Sequence, residues 1–181
     1  KPRLAGTMFD YVEEDKHIRV TSPWGNQIRC YPPGPQFGPM TLGMPYVEFT
    51  VAPGTADGIA AFYRTAMGAC ATVARNGAAA AHVMAGPHQQ LIFRETSEVL
   101  PPYDGHHIQV YISNFSGPHR WLKERGLITE ESNWYQYRFK DIVDPDTGRP
   151  LFTIEHEVRS LVSPLYLRPL VNRNPAQRQP T

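Results

Sequence analysis

Two stretches of the chain alternate polar and apolar side chains in the same phase, Tyr46-Val-Glu-Phe-Thr-Val51 and, much later, His107-Ile-Gln-Val-Tyr-Ile112. Successive side chains of a strand point to opposite faces. Val47, Phe49, Val51 and Ile108, Val110, Ile112 are therefore expected to pack beneath helices, with Tyr46, Glu48, His107 and Gln109 on the other face. A second alternating segment closes each half, Gln90-Leu-Ile-Phe-Arg94 and Thr153-Ile-Glu-His-Glu157. Leu91 with Phe93, and Phe152 with Ile154, take the apolar side, which leaves Gln90 and Thr153, Glu155, Glu157 opposite. Carboxylates, an amide and an imidazole are thus expected on one sheet surface, an arrangement that can hold a divalent metal.

Helical periodicity fills the space between these strands. Thr55 is placed to cap a helix through Ile59, Ala60, Phe62 and Tyr63 to Met67, and Gly68 to end it. Ser116-Gly-Pro-His119 opens a second helix that buries Trp121 and Leu122 and stops near Gly126. These aromatic and apolar positions fall at helical spacing and read as packing residues. Strand pairs over residues 78–84 and 88–95, and over 135–143 and 151–158, complete each half as β-α-β-β or β-α-β-β-β. The second pair turns at Asp144-Pro-Asp-Thr-Gly148.

Upstream, residues 16–21 and 26–31 alternate about a Pro23-Trp-Gly-Asn26 turn and read as a β-hairpin. The run Pro32-Pro-Gly-Pro-Gln-Phe-Gly-Pro39 forbids both helix and ladder pairing and reads as a linker. Beyond Arg159, Pro164, Pro169 and Pro175 interrupt Leu165, Tyr166, Leu167 and Leu170, as in an extended segment laid against the body. The expected division is a hairpin extension with linker over 1–35, a paired-unit domain over 36–160 and a tail over 161–181.

Composition narrows the function classes. With 181 residues and 41% apolar content the chain has material for a sizeable core. A net charge of +1 supplies no field that would favour nucleic acid or a membrane surface, and the Arg168, Arg173, Arg178 tail is too sparse to change this. Cys30 and Cys70 have no paired spacing, which fits a reducing, cytoplasmic setting. No apolar run has the length of a membrane span. There is no phosphate-cradling glycine loop and no nucleophile elbow. A small-molecule substrate is the expected partner, and a second copy of the chain an admissible one.

The tandem β-α-β-β-β units, the helix ending in Phe62-Tyr63 before Met67-Gly68, and the Asp144–Gly148 turn ahead of Ile154-Glu155 together resemble the vicinal oxygen chelate superfamily. That superfamily includes glyoxalase I, extradiol ring-cleaving dioxygenases and antibiotic-binding resistance proteins. The resemblance covers roughly residues 45 to 158. It implies an α+β fold whose paired units curl into a cup-shaped mixed sheet with helices outside. It also implies metal ligands on the first and last strands of each unit, here Tyr46, Gln90, His107 and Glu155. Histidine or glutamine is usual where Tyr46 stands and glutamate where Gln90 stands, so Glu48, one inward step along, is the expected replacement.

The implied ligand set is then His107, Glu155, Glu48 and Gln90, which suits a hard or borderline divalent ion. Ferrous iron is favoured, with Mn2+, Ni2+ or Zn2+ as alternatives. The implied activity is metal-dependent chemistry on adjacent oxygens of a small organic substrate, leaning to ring-cleaving dioxygenation, with lyase or isomerase chemistry beside it. His106, Tyr111 and Glu157 are the residues expected to move protons, and Tyr46, His88 and His156 to line the pocket. Each has a plainer alternative: a strand histidine satisfied by a hydrogen bond, a core tyrosine with a wet hydroxyl, a structural Glu157–Arg159 pair. A bulge near Pro150 would decide whether Glu155 or His156 enters the cup. The alternative for the whole molecule is a metal-free binding protein for a drug or small aromatic on the same scaffold, or one part of a larger assembly. The hairpin resembles the end of a further unit, in the order seen in two-domain extradiol dioxygenases.

Overall fold

The computed structural model describes residues 4–40 and 42–167. The tail positions Arg168, Pro169, Leu170, Arg173, Pro175 and Arg178 lie outside them. The chain divides into two compact units, one running to Tyr46 and including Gly86–Gln89, the other comprising Val47–Ala85 and the chain from Gln90 onward.

In the first unit three antiparallel strands, β1 (Asp10–Glu13), β2 (Ile18–Thr21) and β3 (Gln27–Cys30), lie in the order β1-β2-β3. The expected hairpin is β2–β3, and β1 adds an edge. Asp10-Tyr-Val-Glu13 is charged at both ends and too short to declare itself by alternation. The cross-strand row Tyr11, Val20, Ile28 shares one face. The proline-rich run is packed: Phe37, in a 3-10 turn over Pro35–Phe37, lies 5.3 Å from the Tyr31 ring, which stacks on His17 at 4.6 Å.

The second unit is built from two βαβββ halves. The first comprises β4 (Tyr46–Val51), α1 (Ala56–Ala66), β5 (Ala71–Ala74), β6 (Ala80–Gly86) and β7 (Gln89–Glu95), with strand order β4-β7-β6-β5. The second comprises β8 (His107–Ile112), α2 (Ser116–Glu124), β9 (Ile128–Asn133), β10 (Gln136–Val143) and β11 (Pro150–Ser160), in the matching order β8-β11-β10-β9. The architecture is α+β, and the expected mixed sheet is realised as two four-stranded sheets. Both halves contain the fuller β-α-β-β-β set. The added strands are β5, a short run of small residues, and β9, exposed along nearly its whole length. Neither shows the alternation that marks a half-buried strand.

Helix α1 buries Ala56, Ile59, Ala60, Phe62, Tyr63 and Ala66, the stripe expected of an amphipathic helix. Thr55 stands at the N-cap as expected but makes no side-chain cap bond; its hydroxyl donates to the Ala52 carbonyl at 2.7 Å. Instead the Glu95 carboxylate accepts from the Ala56 N–H at 2.9 Å, placing negative charge at the helix N-terminus. Gly68 takes the left-handed conformation (φ 65°) that ends the helix, as expected.

This helix belongs to the first half but packs on the second. Phe62 lies 5.8 Å from both Trp121 and Phe139, and a Cβ on Gly58 would come within 2.6 Å of Leu151. Phe49, Phe93 and Phe152 meet with ring centroids 5.4 to 6.1 Å apart. The halves therefore share one core, which includes Val51, Phe93, Leu122, Phe139, Ile154 and Val158. No helix among the described residues is long and apolar enough to cross a membrane.

One polar pair sits inside that core. His156 is fully buried and stacked on Phe139 at 4.1 Å, with Nε2 2.6 Å from the Tyr63 hydroxyl and Nδ1 2.8 Å from the Ile154 carbonyl. A proton on Nδ1 bonds the carbonyl and leaves Nε2 to accept from Tyr63. Burial pushes the imidazole down to about 4 and the Tyr63 phenol well above its usual range. Because the folded state resists protonating His156, its contribution is full above pH 6.5 and is lost as pH falls toward 4. The change is worth about 3 kcal/mol. Denaturant unfolding across that window should show stability falling with pH, and a Tyr63→Phe/His156→Phe double variant should show a shallower fall.

Candidate functional site

The chemistry-bearing side chains gather on the face of the second sheet away from the helices. Strands β8 and β11 pair in parallel, with Glu155 beside His107, Glu157 beside Gln109 and Arg159 beside Tyr111. On β10, Tyr137 and Phe139 turn to the core, so Arg138 turns out beside Glu157, and β9 adds Glu130 beside Arg138. A row Gln109, Glu157, Arg138, Glu130 thus crosses all four strands. Between Phe139 and Asp141 the β10–β11 register shifts, and the Thr153 hydroxyl donates to Asp141 at 2.9 Å beyond the irregularity. Ile154, His156 and Val158 stay on the core side through this bulge, and Glu155 and Glu157 stay out.

Glu155, Glu157 and Glu130 on this face are each met by a cation. Arg138 donates through Nη1 to Glu155 at 2.8 Å and through Nη2 to Glu157 at 2.6 Å, and its Nε lies 3.7 Å from Glu130. Arg159 Nη2 stands 2.6 Å from the other Glu157 oxygen, with Nε donating to Gln136 at 3.0 Å and Nη1 to the Tyr111 hydroxyl at 3.4 Å. That second Glu157 contact is an ion pair without hydrogen-bond alignment. Lys140 lies 4.0 Å from Glu155. The Glu157 side chain is only 5% exposed and that of Glu155 16%, so these pairs are shielded from water.

The remaining expected site residues are dispersed. Glu48, on the first sheet, forms a two-pronged pair with Arg94 at 3.0 and 2.9 Å. Gln90 lies 3.1 Å from His82 Nδ1. Tyr46 and His88 fall in the first unit, where His88 occupies a left-handed turn (φ 60°) against Gly38. His106 points to the opposite side of β8 from His107; its ring stacks 6.4 Å from Phe49, and Nδ1 lies 2.5 Å from Asp104. That contact holds the Asp104 carboxyl below the usual carboxylate range. His156, expected to line the pocket, is in the core. A cleft of about 350 Å³ beside the Asp144 turn, lined by Arg125, Leu127 and Thr147, contains none of the expected site residues.

The expected set His107, Glu155, Glu48 and Gln90 is therefore not brought together, although His107 and Glu155 are neighbours. Among the described residues no group of three or more His, Cys, Asp or Glu side chains can hold a metal ion. The donors present do not fit one, because their charges are already neutralised by guanidinium groups. Arg138, Lys140, Glu130 and Asp104 had not been singled out by sequence. The available signal was Gln136-Tyr-Arg-Phe-Lys140, whose alternation puts Arg138 and Lys140 on the polar face.

The tandem βαβββ architecture is the one that the vicinal oxygen chelate resemblance implied. No protein-family model matches the chain, and no curated protein matches it. Among solved structures it is similar to a possible glyoxalase from Bacillus cereus, at 18% identity and TM-score 0.47, over 65% of this chain and 98% of that one. It is also similar to lactoylglutathione lyase from Agrobacterium tumefaciens, at 17% identity and TM-score 0.41, over 67% and 95%. A third is a fosfomycin resistance protein variant from Listeria monocytogenes complexed with Mn(II) and 1S,2S-dihydroxypropylphosphonic acid, at 12% identity and TM-score 0.44, over 66% and 93%.

The charge network makes a stability prediction. Arg159→Met strands half of the Glu157 carboxylate away from water and should cost about 3 kcal/mol. Adding Glu157→Gln to that variant should recover part of the loss. Denaturant unfolding of the two variants beside the parent checks both effects.

Proposed function

We propose that the protein binds a small polar or aromatic organic molecule on the face of its second sheet away from the helices, without the help of a metal. One observation supports this: Glu155, Glu157 and Glu48, the carboxylates a metal would need, are each paired with an arginine of the same chain. What remains available is a set of hydrogen-bonding groups. The His107 and Gln109 side chains are exposed and have no hydrogen-bond partner among the described residues, and Tyr111 stands two residues along the same strand. Such convergent polar groups fix a ligand's orientation while aromatic surface supplies contact. A reducing cytoplasmic setting is the proposed compartment, since Cys30 and Cys70 are both free and exposed.

A screen of small aromatic acids and phenols against chelator-treated protein tests this reading. Binding should survive chelation, and His107→Ala should weaken it about tenfold, the loss of one good hydrogen bond. Uptake abolished by chelator would overturn the reading.

A second reading is favoured by the parallel register that sets His107 beside Glu155. It is metal-dependent catalysis on a substrate with adjacent oxygens, as dioxygenase, lyase or isomerase, with His107 and Glu155 as two of the ligands. It requires Glu155 to leave Arg138 and a further donor to approach. Elemental analysis distinguishes the two: one equivalent of metal in purified protein, lost in both His107→Ala and Glu155→Ala, would establish the second reading in place of the first.

A further inference from the structure

We infer that Arg138 is the resident cation of this face, occupying the place a divalent ion would take and closing the site to metals; this rests on the metal-free reading above. Three carboxylates from two strands converge on its one guanidinium, Glu157 at 2.6 Å, Glu155 at 2.8 Å and Glu130 at 3.7 Å. The buried Nε has no hydrogen bond of its own, so the side chain is held by charge from several directions. A guanidinium neutralises carboxylates through a fixed planar fork, but unlike a metal it has no vacant position to accept a substrate oxygen.

The other cations cannot take over this role. Arg159 is anchored by Gln136 and Tyr111 as well as by Glu157. Lys140 stands at the margin, 4.0 Å from Glu155 and 44% exposed. Without Arg138, then, Glu130 would lose its one cation, Glu155 would keep only Lys140 at 4.0 Å and Glu157 only Arg159, with His107 alongside Glu155. That donor set suits Mn2+.

The test is Mn2+ binding, followed by metal retention after dialysis and by the unfolding midpoint, in the parent protein, Glu155→Gln, Arg138→Met and Arg138→Met/Glu155→Gln. The parent should retain no Mn2+. Arg138→Met should bind one Mn2+ at least about tenfold more tightly than the parent and be stabilised by it, and the double variant should lose that gain. If Arg138→Met folds and gains no Mn2+ affinity, Arg138 is not what excludes the metal, and the inference falls while metal-free ligand binding stands. If the parent itself retains Mn2+ and Glu155→Gln abolishes it, both fall. Should Arg138→Met fail to fold, refolding in Mn2+ decides: recovery supports the inference and no recovery overturns it.

Discussion

A carboxylate shut off from water, as Glu157 nearly is, has to be met by positive charge, and where that charge comes from determines what its surroundings can do. Here it comes from Arg138 on the next strand and Arg159 two residues along the same one. Because Arg138 also reaches Glu155, the strand that carries the acids and the strand beside it are joined through the same guanidinium. The polar face is thereby assembled as a charge-paired network, and His107 and Gln109 on the neighbouring strand are exposed outside it.

Strand β11 is held from both sides at once. Glu155, Glu157 and Arg159 make their ion pairs outward, while Ile154, His156 and Val158 enter the core, His156 bonding helix α1 through Tyr63. A slip of one residue would drive two carboxylates against Phe139 and turn the histidine to solvent, so both faces specify the same register. The buried histidine has a second consequence. Since Tyr63 belongs to the first half and His156 to the second, the polar bond ties the two βαβββ repeats together as their aromatic packing does.

Much of this was readable as residue parity. The apolar faces of β4, β7, β8 and β11, both helices and the placement of His107 and Glu155 on one polar face follow from alternation and from repetition of one pattern. Parity assigns a side chain to a face but does not say which charged neighbour shares that face. Glu48 was legible as an outward carboxylate and not as the partner of Arg94. Glu157 was legible beside Arg159, whereas its bond to Arg138 depends on a β10–β11 register that passes through a bulge. The weakly patterned strands, β5 with its small residues and β9 with its exposed ones, left no period to detect.

The same limit explains why an apparent metal-ligand pattern and a site that does not fit a metal occur in one chain. Acids and an imidazole at the right strand positions are necessary for coordination, but a metal also needs those charges to be uncompensated. Acidic residues placed every second position on a strand invite compensation from basic residues every second position on the next, because cross-strand neighbours are the closest groups available. Arg138 stands opposite Glu157 in that way, and Lys140, at the register shift, lies 4.0 Å from Glu155. Once the two rows are paired, the groups left on the face are its uncharged donors and acceptors, and the hydrogen-bonding recognition proposed above is built on that pairing.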